Sequence, residues 1–276
     1  MSSFEGKNFM YELGKKTYIM GILNITPDSF YDGGKWNSPA DAVSHAIQME
    51  NDGVDMIDIG AQSTKPGHKH LSEDEELNII KQFFFKIIDQ VTVPVSVDTF
   101  YPKVAEYCLK NGASIINDVS GEFNTQMAEL IKKYNAGWII MHTGGGSASE
   151  PAEFPNGVVN DVTCFFKEMY KKCTDYGIQP AQLCFDMGIG FGKSNPDNLE
   201  LIRNVKKLKY KDVALLTALS NKRVVGNSLK VNGSDRMYGT IAADTAAISG
   251  GTDFIRVHEV KQSKLAAMMA DTIYRG

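Results

Sequence analysis

Short apolar runs recur along the chain, and each ends in a side chain that can carry charge or form strong hydrogen bonds. In chain order these side chains are Asn24, Asp58, Asp98, Asn117, His142, Asp186, Lys222 and Arg256. Turns draw mainly on Gly, Ser, Asn and Asp, so the cations, the histidine and the isolated acids exceed what turning requires. The set predicts the lining of one pocket, and the simpler alternative is that strand ends are polar because they meet water.

Part of this set predicts recognition of a flat, nitrogen-rich ring. Asp98, Asn117 and Asp186 supply oxygen acceptors that suit the adjacent N–H groups of an amidine-like or guanidine-like edge. Lys222 could donate to a carbonyl on the same heterocycle. These residues indicate a class of ligand and do not indicate a reaction.

Another part of the set suits an anion. Arg256 and His258 stand just before the last predicted helix, and helix N-terminal amides add partial positive charge. The loops after the last two strands of an eight-stranded barrel commonly hold phosphate. Asn24 would lie beside them, because the first and last strands of a closed barrel are neighbours. A heteroaromatic ring attached to a phosphate is therefore the expected ligand.

The apolar periodicity predicts eight strands that alternate with eight helices. The predicted strands cover 17–23, 54–59, 93–97, 114–117, 137–141, 182–186, 213–217 and 253–257. The predicted helices cover 39–52, 73–90, 102–111, 125–134, 158–176, 196–207, 237–249 and 261–274. Ser38-Pro39 followed by Asp41, and Ser72 followed by Glu75, are typical helix starts.

The strands are apolar on both faces, which is typical of a parallel sheet covered by helices. No Pro/Gly/Ser-rich linker divides the chain. We therefore predict an α/β fold with one domain over 1–276, a single (βα)8 TIM barrel whose site lies at the C-terminal ends of the strands. An open doubly wound sheet is the alternative.

The composition excludes several classes of protein. With 43% hydrophobic residues the 276-residue chain can bury a sizeable core, and its net charge of -4 lacks the basic footprint that nucleic acid requires. Four cysteines without CxxC spacing indicate reduced thiols and a cytoplasmic protein. We expect neither a signal peptide nor a membrane anchor, because no apolar stretch approaches the roughly 20 residues that a span requires.

Eight motifs, in order, resemble the signatures of dihydropteroate synthase. They are MGILNITPDSFYDGG (20–34), DIGAQSTKPG (58–67), SVDT (96–99), INDVSG (116–121), MH (141–142), DMGIGFGK (186–193), LSNK (219–222) and RVHEV (256–260). The resemblance runs from about residue 17 to residue 274. That family folds as a (βα)8 barrel, in agreement with the strand and helix pattern.

The resemblance implies condensation of 6-hydroxymethyl-7,8-dihydropterin diphosphate with 4-aminobenzoate, with Mg²⁺ as cofactor. It implies catalytic roles for Asp98, Lys222 and Phe30, and pterin contacts from Asp98, Asn117, Met141, Asp186 and Lys222. For the diphosphate it implies Asn24, Thr64, Lys65, Arg256 and His258, with Asn24 also on the metal. For 4-aminobenzoate it implies Phe30, Thr64, Pro66, Phe191 and Ser220.

The loop that follows the first strand is long and holds aromatic side chains and a Gly33-Gly34 pair. Loss of diphosphate would leave a cationic carbon, and such a step needs water kept out. We interpret the loop, with Phe30, as a lid that closes over that carbon and helps to build the pocket for the second substrate.

Four positions depart from the family pattern. Gln62 replaces a glutamate, Lys65 and Asn221 replace arginines, and Met187 replaces a proline. Arginine presents a rigid fork to anions, whereas lysine offers one mobile charge and asparagine none. We expect ordinary pterin affinity with lowered turnover or a different second substrate.

Two other functions stay open at this point. One is a pterin-binding paralogue with little synthase activity, and the other is a folate-dependent methyltransferase. The family resemblance also implies a homodimer through the later helices, and the segment 261–274 carries an apolar face of Leu265, Met268, Met269 and Ile273.

Overall fold

The protein is built around a parallel barrel, and the computed structural model describes residues 2–25, 38–62, 71–145 and 150–276. Two short strands, β1 (Ser3–Gly6) and β2 (Phe9–Glu12), form an antiparallel hairpin. The barrel strands are β3 (Tyr18–Asn24), β4 (Met56–Gly60), β5 (Val95–Asp98), β6 (Ile115–Asp118), β7 (Gly137–Met141), β8 (Leu183–Asp186), β9 (Ala214–Thr217) and β10 (Phe254–Val257). Each pairs with its neighbours in chain order.

The barrel closes between its last and first strands. Arg256 of β10 lies opposite Met20 of β3, and Ile255 lies opposite Thr217 of β9 on the other side. All eight pairings are parallel. The predicted (βα)8 barrel is confirmed, and the open doubly wound sheet is excluded because an open sheet would leave two unpaired edges.

The helices cover the outside of the barrel. Within the described residues they are α1 (Pro39–Asn51), α2 (Glu73–Ile88), α3 (Pro102–Lys110), α4 (Thr125–Tyr134), α5 (Val158–Asp175), α6 (Asn195–Arg203), α7 (Val205–Leu208), α8 (Arg223–Leu229), α9 (Arg236–Ser249) and α10 (Val260–Tyr274). No helix in these described parts is long and apolar enough to cross a membrane.

Two features of the helices were not predicted. The predicted helix 196–207 is divided at Asn204, whose side-chain amide donates to the Glu200 carbonyl at 2.8 Å and competes with the helical ladder. Helix α8 has only seven residues, too few for an apolar period to be recognised. The predicted caps are confirmed, since Ser38 Oγ accepts from the Asp41 amide and Ser72 forms a reciprocal capping box with Glu75.

The β1–β2 hairpin closes the amino-terminal end of the barrel, and it too was not predicted. Phe4 is fully buried and meets Phe254, at the start of β10, edge-on with ring centroids 5.7 Å apart. Tyr11 lies 4.7 Å from Tyr18, at the start of β3, again edge-on. These aromatic rings fill the amino-terminal end of the barrel with apolar surface. The polar groups inside the barrel therefore concentrate at its carboxyl-terminal end.

The two-residue alternation of each strand decides which side chains face inward. Ile57 and Ile59 pack outward in the cluster shared with the helices, whereas Met56 packs in the inner cluster. Asp58 lies between the two isoleucines and therefore points into the barrel. The same alternation turns Asp98 and Asp186 inward, because Val97 and Phe185 pack outward.

One carboxyl group in the helical layer is buried without a hydrogen-bond partner among the described residues. Asp244 on α9 is 3% exposed, and neither carboxyl oxygen has a hydrogen-bond partner among the described residues. Burial raises the pKa of Asp244 well above its ordinary value. The folded protein therefore favours the neutral acid at this position.

We expect the Asp244→Asn variant to gain stability over the wild type as pH rises. Above the pKa of the aspartate in the unfolded chain, only the unfolded wild type loses the proton. The wild type then loses about 1.4 kcal/mol per pH unit, up to the raised pKa of the folded state. Urea denaturation at pH 5 and pH 7 measures the difference between the two proteins.

Asp89→Asn, at the carboxyl-terminal end of α2, is the matched control. Its carboxylate is exposed to solvent in the folded chain as it is in the unfolded chain. A difference between Asp244→Asn and wild type that stays constant from pH 5 to pH 7 would contradict a neutral Asp244.

Candidate active site

The predicted acids meet in one mouth at the carboxyl end of the barrel. Asp98 of β5 lies directly opposite Asn117 of β6, and Asp186 of β8 lies opposite Met141 of β7. All four residues are buried, with Asp98 at 7% and Asp186 at 4% exposure. The pterin-side residues predicted from sequence therefore come together on adjacent strands.

Arg256 joins two carboxylates across the barrel. Its Nε donates to Asp58 Oδ2 at 2.7 Å, and its Nη2 donates to Asp98 Oδ2 at 2.9 Å. The Asn117 amide also donates to Asp58 Oδ2, at 3.1 Å. Asp58 is completely buried, so the guanidinium supplies the charge that makes its burial tolerable.

Asp58 was among the strand-end side chains predicted to line the pocket, but no substrate contact was predicted for it. It stands inside the apolar run MIDIG, and an isolated acid within a barrel strand is the signal that marks it. Contact of Arg256 with a diphosphate stays a prediction. In the structure its Nε and Nη2 donate to the two acids.

Burial shifts the ionisation of the acids in the mouth. It raises the pKa of Asp98 to about 7, against the opposing charge of Arg256 and with further upward contributions from Asp58, Glu76 and Asp118. Burial also raises the pKa of Asp186, which the charge of Lys222 and a 2.8 Å bond from the Gly188 amide oppose. Both acids can therefore exchange a proton nearer to neutral pH than an exposed aspartate.

Lys222 faces these acids from the residue before α8. Its ammonium donates to the Ile189 carbonyl and lies 4.8 Å from the centre of the Phe191 ring. Burial lowers the pKa of Lys222 to about 8, although the charge of Asp186 raises it. The predicted partners Asp186, Lys222 and Phe191 thus share one side of the mouth.

A buried lysine that was not predicted as a site residue, Lys193, connects the loops on this side. Lys193 is 4% exposed, and its ammonium donates to three carbonyls, those of His142 at 3.1 Å, Gly188 at 2.8 Å and Phe191 at 3.1 Å. It thereby ties the loop after β7 to the loop after β8. Burial lowers its pKa to about 7.

The residues predicted for the anion and the second substrate are only partly described. Ser220 Oγ lies 2.9 Å from His258 Nδ1 and accepts the His258 amide at 3.1 Å. Asn24 stands at the end of β3, where its Oδ1 lies near Gly60. Four further predicted residues, Phe30, Thr64, Lys65 and Pro66, lie outside the described residues.

His142 does not face the mouth. Its Nε2 lies 2.9 Å from Asp161 Oδ2 on α5, and its ring meets Phe165 edge-on at 5.0 Å. Burial lowers its pKa to about 4. The position could have been read from sequence, because Met141 faces inward and the next side chain along a strand faces the opposite way.

A closed parallel barrel with buried acids and a lysine at the carboxyl ends of its strands defines a barrel enzyme for a small, nitrogen-rich substrate. The sequence signature of the family described as "pterin binding enzyme" matches residues 20–258. The chain belongs to this family, in its dihydropteroate synthase branch.

Relatives named dihydropteroate synthase match nearly the full chain. The one from Clostridium beijerinckii is 38% identical over 267 residues, covering 96% of this chain and 97% of the relative. The one from Bacillus subtilis is 37% identical, covering 95% of this chain and 90% of the relative.

Solved structures agree with these matches. Dihydropteroate synthase from Clostridium difficile, determined in the presence of pteroic acid, aligns with a TM-score of 0.89 at 39% identity and covers 97% of this chain and 100% of that chain. The Yersinia pestis enzyme in a sulfonamide drug complex gives 0.92 at 31% identity, covering 99% and 100%. The Xanthomonas albilineans enzyme with 4-aminobenzoic acid gives 0.86 at 31% identity, covering 94% of each chain.

We expect Arg256→Met to lower the free energy of unfolding by about 3–5 kcal/mol, because it leaves Asp58 buried without its cation. Arg256→Lys should lose less, since it keeps a charge and loses only the forked geometry. Urea denaturation at pH 7 measures both variants. Lys103→Met, which breaks an exposed ion pair with Asp74, is the control, and a loss from Arg256→Met no larger than that of the control would refute the role of the cluster.

Proposed function

We propose that this chain acts as a dihydropteroate synthase, condensing 6-hydroxymethyl-7,8-dihydropterin diphosphate with 4-aminobenzoate. The observation that carries the proposal is the convergence of Asp98, Asn117, Asp186 and Lys222 in one buried mouth of a pterin-binding barrel. These are the residues that the family resemblance implies for the pterin.

The mouth suits the hydrogen-bonding edge of a pterin. Asn117 and Asp186 offer oxygen acceptors to the ring N–H groups and the exocyclic amine, and Lys222 offers a donor to the ring carbonyl. Met141, opposite Asp186, supplies an apolar surface for the ring. A ligand lacking these donors would leave buried polar groups unpaired, which favours a pterin over an apolar ring.

The proposed reaction is a substitution at the carbon attached to the pterin. The bond from that carbon to the diphosphate oxygen breaks and diphosphate leaves with the electron pair. The amine nitrogen of 4-aminobenzoate then bonds the carbon and loses a proton. The Asp98 carboxylate, held by Arg256, stabilises positive charge that develops on the pterin.

Magnesium is proposed to arrive with the diphosphate. The described residues contain no group of three or more His, Cys, Asp and Glu side chains placed to bind a metal. Mg²⁺ commonly uses few protein ligands and completes its shell with substrate phosphates and water, so the single side-chain oxygen of Asn24 fits it. When bound, the ion neutralises charge on the leaving diphosphate.

The second substrate is proposed to lie between Phe191 and Ser220, with Phe30, Thr64 and Pro66 contributing from outside the described residues. Asn221, where the family pattern has an arginine, adopts a left-handed backbone with φ of 58°. The main-chain N–H of Asn221 donates to Thr240 Oγ1 at 3.2 Å, and its main-chain carbonyl accepts from Arg236 Nη1 at 3.2 Å. Because Asn221 brings no charge, we propose lower turnover than an arginine would support.

The decisive experiment combines binding and turnover. We expect isothermal calorimetry to detect binding of 6-hydroxymethylpterin, and we expect diphosphate and dihydropteroate to form in equal amounts from both substrates with Mg²⁺. Asp98→Asn should lower kcat by about 100-fold, the magnitude typical of losing one group that stabilises transition-state charge. Asp74→Asn, an exposed acid on α2, is the matched control.

Pterin binding without release of diphosphate would contradict the synthase and favour a pterin-binding paralogue. Transfer of a methyl group from a folate would favour a methyltransferase. Absence of pterin binding would reject the synthase, the pterin-binding paralogue and the methyltransferase together.

We also propose a cytoplasmic homodimer formed through α10. Leu265, Met268, Met269 and Ile273 are 57–61% exposed on this helix, and a row of large exposed apolar side chains is typical of a subunit interface. Sedimentation equilibrium should give roughly twice the 30.4 kDa chain mass. The Met269→Lys variant should sediment with the mass of one chain. A monomeric wild type would exclude the dimer. Cell fractionation tests the cytoplasmic location.

A further inference from the structure

The loop that follows β8 is built around the ammonium of Lys193. Residues 188–192 read GIGFG, and all three glycines of this loop have positive φ. The carbonyls of Gly188 and Phe191 accept from Lys193 Nζ at 2.8 and 3.1 Å. The His142 carbonyl, just after β7, accepts at 3.1 Å. An ammonium has three hydrogens, so these main-chain acceptors use all of them.

The loop that Lys193 holds also contacts two residues that are proposed to bind the pterin. The Gly188 N–H donates to Asp186 Oδ1 at 2.8 Å, and the Ile189 carbonyl accepts from the ammonium of Lys222. Because Lys193 binds the carbonyl of Gly188, it fixes the main chain directly beside both of these contacts. The orientation of the Asp186 carboxylate and of the Lys222 ammonium therefore depends on the loop.

The start of the loop after β7 is the support against which this loop is held. A Cβ atom on Gly188 would lie 1.8 Å from the His142 carbonyl oxygen, so the two main chains are in direct contact. The Gly144 N–H also donates to the Phe191 carbonyl at 3.2 Å. Lys193 binds across this contact, and it is 4% exposed, so water does not compete for its three bonds.

The charge of Lys193 acts on Asp186 as well. Burial raises the pKa of Asp186, and Lys193 is one of the cations that oppose this rise. Burial lowers the pKa of Lys193 to about 7, although the charge of Asp186 raises it. The other charged or titratable groups that act on this pair are Lys222, Arg256, Asp161, Asp197 and His142. An ionised Asp186 keeps both oxygens as acceptors, and a charged Lys193 favours that form.

We propose that Lys193 is a positioning residue for the pterin, which holds the loop 188–191 so that Asp186 and Lys222 meet the edge of the ring. The inference rests on the proposed function, because that function assigns Asp186 and Lys222 to the pterin. It goes further by giving part of the pterin affinity to a side chain for which the family resemblance implies no substrate contact.

Removal of the ammonium tests this role. Lys193→Met keeps a long side chain and loses the charge and all three bonds. We expect the Kd for 6-hydroxymethylpterin to rise about 10-fold at pH 6, as measured by isothermal calorimetry on the full chain. Lys193→Gln keeps N–H donors without the charge, and it should weaken binding in the same direction. It also provides the comparison if Lys193→Met does not fold.

The pH profile separates this role from general structural support. At pH 6 the variants favour a protonated Asp186 more than the wild type does, and a protonated carboxyl group loses an acceptor for the ring N–H groups. Toward pH 9 the Asp186 carboxylate is favoured in all of the proteins, and the wild type has lost the proton of Lys193. The ratio of variant Kd to wild-type Kd should therefore fall as pH rises from 6 to 9.

Lys132→Met is the matched control. Lys132 is exposed on α4, and its ammonium donates to the Tyr176 carbonyl at 2.9 Å, so the same chemical change breaks the same kind of bond far from a buried site. This variant should keep the wild-type Kd at every pH. A Kd ratio for Lys193→Met that stays constant with pH would assign Lys193 to general support and overturn the inference. Unchanged binding, or failure of both Lys193 variants to fold, would overturn it too.

The same data keep this inference distinct from the proposed function. A wild type that does not bind hydroxymethylpterin would count against the proposed function itself. A wild type that binds it, combined with Lys193 variants that bind it equally well, would count against Lys193 alone.

Discussion

The rest of the site depends on the buried ionic cluster of Asp58, Arg256 and Asp98. An isolated charge in a barrel interior is costly, and each member of this cluster is tolerated only because the others are in place. The three residues come from β4, β5 and β10, so the cluster exists only in the closed barrel. Closure therefore creates the site, and the orientation of the Asp98 carboxylate follows from Arg256.

The two ends of the barrel interior differ in polarity. Aromatic rings from the β1–β2 hairpin fill the amino-terminal end, where Phe4 and Phe254 pack edge-on. Polar groups occupy the other end, where the side chains of Lys193 and Gln62 bind main-chain carbonyls of the loops. Lys193 does this after β8, and Gln62 binds Leu71 before α2, so polar side-chain contacts hold main-chain groups at this end of the barrel.

The departures from the family pattern acquire different physical meanings in the folded chain. Gln62 is not a weakened glutamate, because its amide satisfies Leu71 and Glu76 together. Asn221 occupies a left-handed position that asparagine tolerates better than most residues, and its main chain is fully engaged. The pterin half of the site thus keeps its polar residues, and Asn221 follows β9, on the side where the second substrate is proposed to bind.

Sequence alone determined the order of the barrel strands, most helices and the positions of the inward acids, because periods of 2 and 3.6 and the polarity of strand ends are local properties. It also supplied the family motifs. Only the tertiary structure decided that Arg256 binds Asp58 and Asp98, that Lys193 joins two loops, and that Gln62 faces Glu76. These contacts join residues from different strands and loops, and their partners depend on how the barrel closes, which no local pattern encodes.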